Sequence, residues 1–454
     1  MKRPNVLLVC ILFCWGITAQ DKSYFSELVP PSPDVAQLGT YGETQVGKYT
    51  GTANISVPLH TINFDGLQIP IQLSYQTGGI KVSQEATWVG LGWNLSANAV
   101  ISRQTIGYDD LTNGGGAIGY LYSPNFTVPL SPTEEAQLLN NRVSSPYDTQ
   151  PDIFTASIFG ESVQFILPKY SGTPMMEAEV LDSRILKVYY HEAGNTDPSM
   201  QNTFEVINGQ GFHFYFGNPD GNDDHRREYT TSFRSDGSAS TTELGALASS
   251  VAVVGGQREF RKTTAWQIYK IKAPSGREIY FDYERTYYFG YPAYSDNYDF
   301  LTCNANGTTS NGLEIVSFDG DTRKKVGCQI PGFESAQLKK ISGDFGVVDF
   351  ILENRIDLTH RRQTELQLSS LIENGTSVKR LAGINVSNAA NQPIKTIDFN
   401  YSYFNGDQDQ DVAPYKRERY LRLKLDGVTI DDREYSFNYH MVNDLPPKDS
   451  RDED

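Results

Sequence analysis

The residues best spaced for chemistry are acidic. Asp407, Asp409 and Asp411, closed by Glu418, follow the spacing of a calcium-binding loop. Alternate carboxylates can converge on one hard cation, and a later glutamate completes the shell. The sharp turn inside such a loop wants glycine, yet Val412 stands there, and no helical pattern flanks the segment. Calcium is therefore the one cofactor the sequence raises, set against a plainer reading: a solvated hairpin loop with surplus acid. The stretch 220–224 (DGNDD) carries a weaker version of the same signal.

Other constellations carry less. Gly114, Gly116 and Gly119 fit the bare pattern G-x-G-x-x-G. That pattern grips a dinucleotide only between a strand and a helix whose N-terminus faces the pyrophosphate. Asp-Asp-Leu-Thr-Asn before it and Tyr-Leu-Tyr-Ser-Pro after it supply neither, so a loop is expected. His60, His191, His213, His225, His360 and His440 form no H-x-H or H-x-x-x-H pair, which leaves zinc without a local template. His225 beside Asp223 and Asp224 lies in a turn-rich polar run that favours exposure. There is no G-x-S-x-G elbow. The 55 acidic residues offer too many pairs for a glycosidase spacing to be read. No catalytic residue is expected.

Trp88 and Trp93 bracket two glycines in WVGLGWNL. Two readings stand: a sugar-stacking platform, or two indoles folded into a module core. Gly90 and Gly92 flank Leu91 and favour the core, because glycine permits close backbone approach.

The elements around these residues read as strands. Ile55, Val57 and Leu59 alternate with polar or proline positions, and Ile69, Ile71, Leu73 and Tyr75 repeat the pattern. Pro58 and Pro70 cannot donate to a ladder, which predicts edge strands or prolines at strand ends. Gly78-Gly79 predicts a turn. Only Ser131-Pro132-Thr133-Glu134 looks like a helix start, with a capping box and proline in the first turn, predicting a short helix over 131–140. Residues 232–257, small and polar, read as a flexible loop or junction.

From Trp266 onward a hairpin cadence recurs. The return strands read Ile279, Phe281, Tyr283; then Ile397, Phe399, Tyr401; then Tyr435, Phe437, Tyr439, with 338–350 as a further unit. One hairpin cannot bury its apolar face alone, so the units should stack into a continuous sheet. The 27 tyrosines exceed 23 phenylalanines, which suits sheets with one buried and one wet face. The fold class expected is all-β: an antiparallel β-sandwich or stacked β-hairpin modules with at most one or two short helices.

At the level of motif the chain resembles the N-terminal region of Bacteroidetes-type secreted YD-repeat (RHS-repeat) proteins. PPSPDVAQLGTYG, GTANISVPL, LQIPIQLSYQTGGIKV and EATWVGLGWNL carry the likeness, which extends more loosely to YSFNYHMVNDLPPKDS. In that family such a region leads into a repeat array wound into a hollow shell, followed by a variable toxin or effector. This sequence has no run of Tyr-Asp-x-x-Gly-Arg units, no Asp-Pro-Leu-Gly core motif and no effector region. The resemblance therefore implies a cap or attachment module and transfers no toxic activity.

The first twenty residues read as an export signal: Lys2 and Arg3, an apolar run from Val6 to Trp15, and Ala19 near a cut before Asp21. The run is too short to span a bilayer, and Val9 and Phe13 before Cys10 and Cys14 argue against lipidation. Cys303 and Cys328 then remain, and in an oxidising compartment one disulfide is the simplest expectation, with two unpaired thiols as the alternative. Removing Lys2 and Arg3 takes the formal net charge from −16 to −18. So acidic a surface disfavours nucleic acid and anionic membranes as partners.

The organisation expected is a signal peptide over 1–20 and an N-terminal β module over 21–115. A second β region follows over 116–260, then hairpin units over 261–454. The function expected is an exported, non-enzymatic structural or interaction module at the outer surface of a Gram-negative cell, in the periplasm or outside. Its partners would be other surface proteins or a downstream YD-repeat or toxin polypeptide. The alternatives are a carbohydrate-binding surface protein and, remotely, a glycoside hydrolase.

Overall fold

A computed structural model describes residues 54–76, 79–111, 113–114, 117–125, 131–136, 148–182, 186–192, 202–217, 226–235, 257–258, 262–290, 293–299, 323–358, 376–405, 418–441, 443–448 and 450. Alternation of apolar and polar residues becomes strand almost everywhere. The first block contains β1 (Asn54–Phe64), β2 (Leu67–Gln76), β3 (Trp93–Ser96) and β4 (Val100–Gln104). A second contains β5 (Asn113–Gly114), β6 (Ala117–Ile118), β7 (Ile153–Ile158), β8 (Glu161–Ile166), β9 (Met175–Glu177), β10 (Glu179–Val180), β11 (Leu186–His191), β12 (Thr203–Asn208), β13 (His213–Gly217), β14 (Arg227–Ser235) and β15 (Gln257–Arg258). The third holds β16 (Lys262–Lys272), β17 (Glu278–Phe289), β18 (Ala293–Asp299), β19 (Arg323–Gly343), β20 (Gly346–Asn354), β21 (Thr376–Ser377), β22 (Lys379–Asn388), β23 (Pro393–Phe404), β24 (Arg422–Ile430) and β25 (Arg433–Ser436). The protein is all-β and overwhelmingly antiparallel.

The hairpin units do stack. Strands β19, β20, β22, β23, β24 and β25 pair antiparallel in succession, and β16 joins them through β17. β4 links this sheet to β7 and β8. A separate small sheet of β1, β2 and β3 lies against it, and its inward residues Leu59, Phe64, Ile69 and Leu73 belong to the same continuous core as Phe281, Ile384 and Leu425. One shared core is what unpaired hairpin faces require, since each buries its apolar side only against a neighbour.

Local corrections have physical causes. β1 is an edge strand among the described residues, but β2 is flanked on both sides. Pro70 is tolerated there because the ladder with β3 begins only at Gln72, so no donor is asked of it. In the last unit the expected face of Tyr435, Phe437 and Tyr439 does not form. β25 ends at Ser436 with its residues exposed, and the chain leaves the sheet there. The helix start at Ser131 is real: its hydroxyl accepts the Glu134 N–H at 3.3 Å and its own N–H donates to the Glu134 carboxylate at 2.7 Å. Helix covers 132–136, beyond which residues 137–147 lie outside the described set. The expected loop at 232–257 begins as the end of β14 and closes on β15, its middle also outside that set.

Candidate functional site

WVGLGWNL lies where the beginning and the end of the described chain meet. Gly90 and Gly92 adopt φ of 113° and 78°, a region open to glycine at little cost. A methyl group on Gly92 would sit 2.7 Å from the Tyr75 ring, and one on Gly90 would meet the backbone of Leu425 at 3.1 Å. The turn so formed sends the Leu91 N–H to the Leu423 carbonyl (2.8 Å), and Trp88 offers its carbonyl to the Leu381 N–H (3.0 Å). Thr87 braces it by donating its hydroxyl to the Trp93 carbonyl at 2.7 Å.

Both indoles are buried, Trp88 at 7% and Trp93 at 3% exposure. The Trp93 Nε1–H donates to the Tyr439 hydroxyl at 2.7 Å, and that hydroxyl donates onward to the Leu425 carbonyl at 2.6 Å. Phe437 lies against Trp93 at 4.4 Å between ring centroids, and Tyr75 at 5.1 Å. Trp88 faces Phe350 at 6.2 Å. The chain that abandons the sheet after β25 thus becomes the lid over the tryptophan motif.

Charge fastens the same junction. Arg355 holds Asp357 through two 2.7 Å bonds and donates to the Thr87 and Ala86 carbonyls. The Asp357 carboxylate also accepts the Leu423 N–H at 2.8 Å. Burial opposes its ionisation, but Arg355, Lys448 and that N–H outweigh it and hold the carboxyl below its usual range. Lys448 reaches Glu85 at 2.5 Å, and Arg422 donates to the Val82 and Pro446 carbonyls. Asn405 and Leu445 exchange a pair of amide bonds. Three cations (Arg355, Arg422, Lys448) and three carboxylates (Glu85, Asp357, Glu418) are all buried within this region. The numbers balance, as burial of charge demands.

A second polar cluster ties the segments between β4 and β7. Asp110 and Asp152, both fully buried, exchange backbone bonds: the Asp152 N–H donates to Asp110 at 2.7 Å and the Asp110 N–H to Asp152 at 3.2 Å. Arg103 grips Asp109 bidentately at 2.5 and 2.9 Å, lies 3.6 Å from Asp152 and stacks 5.6 Å over Trp266. Asp148 accepts the N–H groups of Tyr108 and Gln150. Burial and the facing carboxylate raise Asp110 well above the carboxylate range, and burial raises Asp152 less, since Arg103 opposes it. These carboxylates substitute for a sheet ladder by capping backbone donors.

On the outer face of β11–β13, Glu205 accepts from His213 Nδ1 at 2.6 Å and lies 3.5 Å from His191 Nε2. Bonding to His191, working against burial, takes Glu205 down to about 2, with His213 and Tyr215 adding to it. Sequence spacing concealed this grouping, because cross-strand neighbours are far apart in the chain. Arg103 was legible in part: a charge on an inward position of the apolar strand VISRQ needs a buried partner.

The remaining expected sites fall elsewhere. Glu418 is buried at 1% exposure, while Asp407, Asp409 and Asp411 lie outside the described residues. Cys303 also lies outside them, and Cys328 sits in β19 opposite Tyr294, so the disulfide falls beyond description. His225 with its aspartates is likewise outside. Of the G-x-G-x-x-G glycines, Gly114 falls in the two-residue ladder of β5 and β6, Gly119 precedes a 3₁₀ turn at Tyr120–Tyr122, and Gly116 lies outside the described residues. Gly119 there packs so closely that a methyl group would lie 2.1 Å from the Asp109 carbonyl. Among the described residues no three His, Cys, Asp or Glu side chains converge to hold a metal, and no helix is long and apolar enough to cross a membrane.

No family model and no curated protein matches the chain. Among solved structures, a TcdB2-TccC3-Cdc42 crystal structure is similar at TM-score 0.36 and 11% identity, over 85% of this chain and 16% of that one. The Photorhabdus luminescens Tc holotoxin pore gives TM-score 0.35 and 11% identity, over 85% and 15%. The N-terminal domain of effector protein SpvB from Salmonella typhimurium strain LT2 gives TM-score 0.37 and 12% identity, over 85% and 99%. The chain thus matches less than a fifth of the length of the first two. At these TM-scores and identities the likenesses carry no argument about function.

Proposed function

We propose that this chain is a non-enzymatic structural module of an exported protein, the N-terminal cap region of a Bacteroidetes-type YD-repeat polypeptide. Its partner is the repeat or toxin portion of that polypeptide, at the cell surface or outside it. The observation that carries the reading is the junction at WVGLGWNL. The residues most distinctive in the sequence are given over to packing: Trp93 is covered by Phe437 and satisfied by Tyr439. The buried carboxylates around Arg103 and Arg355 are likewise bound to guanidinium groups and backbone donors. A module in which residues 82–96 are locked to residues 418–448 suits a scaffold that must keep its shape beside a larger partner.

The test is a broad panel of glycosidase, esterase, peptidase and nuclease substrates with the purified chain. No turnover above a heat-denatured control is expected. Turnover abolished by one acidic or histidine substitution that leaves the fold intact would overturn the reading.

A further inference from the structure

The hairpin units repeat in register as well as in sequence, and the last of them is open on one side. Where the return strand of one unit meets the first strand of the next, one arrangement recurs. Phe281 lies opposite Ile341 and Tyr283 opposite Leu338. Phe350 lies opposite Ile384 and Leu352 opposite Leu381. Phe399 lies opposite Val428 and Tyr401 opposite Leu425. A register shift separates the two pairs each time, after Asp282, Ile351 and Asn400, and β13 meets β16 with the same shift after Tyr215. A bulge placed alike at successive interfaces belongs to the repeat and not to one loop.

Within the hairpins, Ile271 faces Ile279, Ile341 faces Val348, Ile384 faces Ile397, and Val428 faces Tyr435. Tyr435 is thus the counterpart of Ile279, Val348 and Ile397, and Phe437 that of Phe281, Phe350 and Phe399. Their burial differs. Ile279, Val348 and Ile397 are at 0% exposure, whereas Tyr435 is at 42%, with all of β25 exposed and Phe437 only half-buried. The earlier return strands have a next strand beside them, but among the described residues β25 is registered with β24 alone. The Phe437 N–H donates to the Asp426 carbonyl at 2.8 Å, which turns the odd-numbered residues here toward β24. The N–H and C=O groups of Glu434 and Ser436 therefore point to the open side. The free edge of β1 is blunted by a bulge between Pro58 and His60 and by Lys395, which donates to the Leu59 carbonyl. β25 has an unshifted register and no proline.

We infer that the open side of β25 receives one further antiparallel strand from a partner polypeptide, reading Leu-x-x-(Ile/Val)-x-(Val/Ile) as β22 and β24 do. Its last apolar residue covers Tyr435 and its middle one flanks Phe437, as Ile430 and Val428 do for Ile397 and Phe399. Strand addition of this kind takes affinity from main-chain bonds and specificity from alternate side chains. A second copy of this chain cannot supply the strand, because its β22 and β24 are each already paired on both sides. This edge is defined by the repeat alone and stands whether or not the cap reading holds.

The probe is a synthetic peptide with the sequence of β24, Arg422–Ile430, added to the full chain. Ser436 and Asp398 are counterparts, facing Gly427 and Gly383, and Thr429 lies opposite Asp398. The peptide's Thr429 should therefore lie opposite Ser436. A Ser436→Cys variant should form a mixed disulfide readily with a Thr429→Cys peptide and far more slowly with an Asp426→Cys peptide, whose cysteine falls beyond disulfide reach. Peptide mass spectrometry separates this bond from any to the chain's own cysteines, and an unfolding curve matching the parent's shows the variant folded. In the parent chain, excess peptide should slow hydrogen exchange at the Glu434 and Ser436 amides. N-methylation at the peptide's Thr429, which faces β25, should weaken that binding about tenfold, while N-methylation at its Val428, which faces away, keeps it within a few-fold. Unchanged exchange, equal trapping of both cysteine peptides, or equal binding by both methylated peptides would overturn the proposal.

Discussion

Trp93 shows how much one residue's identity reveals and what it conceals. Two tryptophans among glycines announce a tight aromatic turn, but nothing nearby announces Tyr439, 346 positions later, as the hydrogen-bond partner. Removing that hydroxyl leaves the buried indole N–H and the Leu425 carbonyl unpaired. Tyr439→Phe should cost about 1–3 kcal/mol, read from urea unfolding. A Trp93→Phe/Tyr439→Phe double variant should lose less than the sum of the two single losses, because the second change removes a group already orphaned. Additive losses would mean the bond contributes nothing. Glu418 carries the complementary lesson. Its spacing from Asp407 suggested a metal ligand, whereas its burial, at 1% exposure, is a property of packing that spacing cannot express.

At the scale of elements, period-two alternation located most strands, and failures came where a strand met something non-local. Pro70 misled because its edge is vacant only by the stagger of β3. The Asp110–Asp152 knot was invisible because it joins segments forty residues apart through side chains that read as loop acid. It has a measurable consequence. Asp110 is driven up to about 8, first by burial and then by Asp152. Around the pair stand Asp109, held below its usual range chiefly because Arg103 outweighs burial, then Asp148, Lys169 beneath the 117–123 segment, and Lys262 of β16. A carboxyl raised on folding binds a proton in the native state that the unfolded chain has released. Stability from this pair is therefore full below about pH 4 and declines as pH rises toward about 8. Asp357 and Glu205, depressed on folding, run the other way and weaken as pH falls through their native values. Asp110→Asn should flatten the decline between pH 5 and 8 (about three units,), seen as melting temperatures converging on one value across that span. A parent and variant with parallel pH profiles would refute the assignment.

For the whole molecule, the decisive contacts are those that join the segment 82–96 to 418–448 across more than three hundred residues of chain. Contacts so distant in sequence form late and slowly, because loop closure must precede any gain from them. Their effect is to make the first and last parts of the described fold one cooperative unit. Lys448 is the sharpest probe, since its ammonium is fully buried and donates to the Glu85 carboxylate and to the Asp357 carbonyl. Lys448→Met strands the Glu85 carboxylate and should cost about 3–5 kcal/mol, whereas Glu85→Gln/Lys448→Met removes both charges and should recover much of that loss. If the junction is a true fastening, hydrogen exchange in Lys448→Met should quicken at the Leu91 amide, bonded to Leu423, and at the Leu445 amide, bonded to Asn405. The amides of Phe204 and Val206 in the central sheet should hold their protection, because their ladders with β11 and β13 do not touch the junction. Faster exchange at Leu445 alone would make the final segment a strap laid over a finished module. Faster exchange at Leu91 as well shows that the tryptophan turn depends on the chain that returns to cover it.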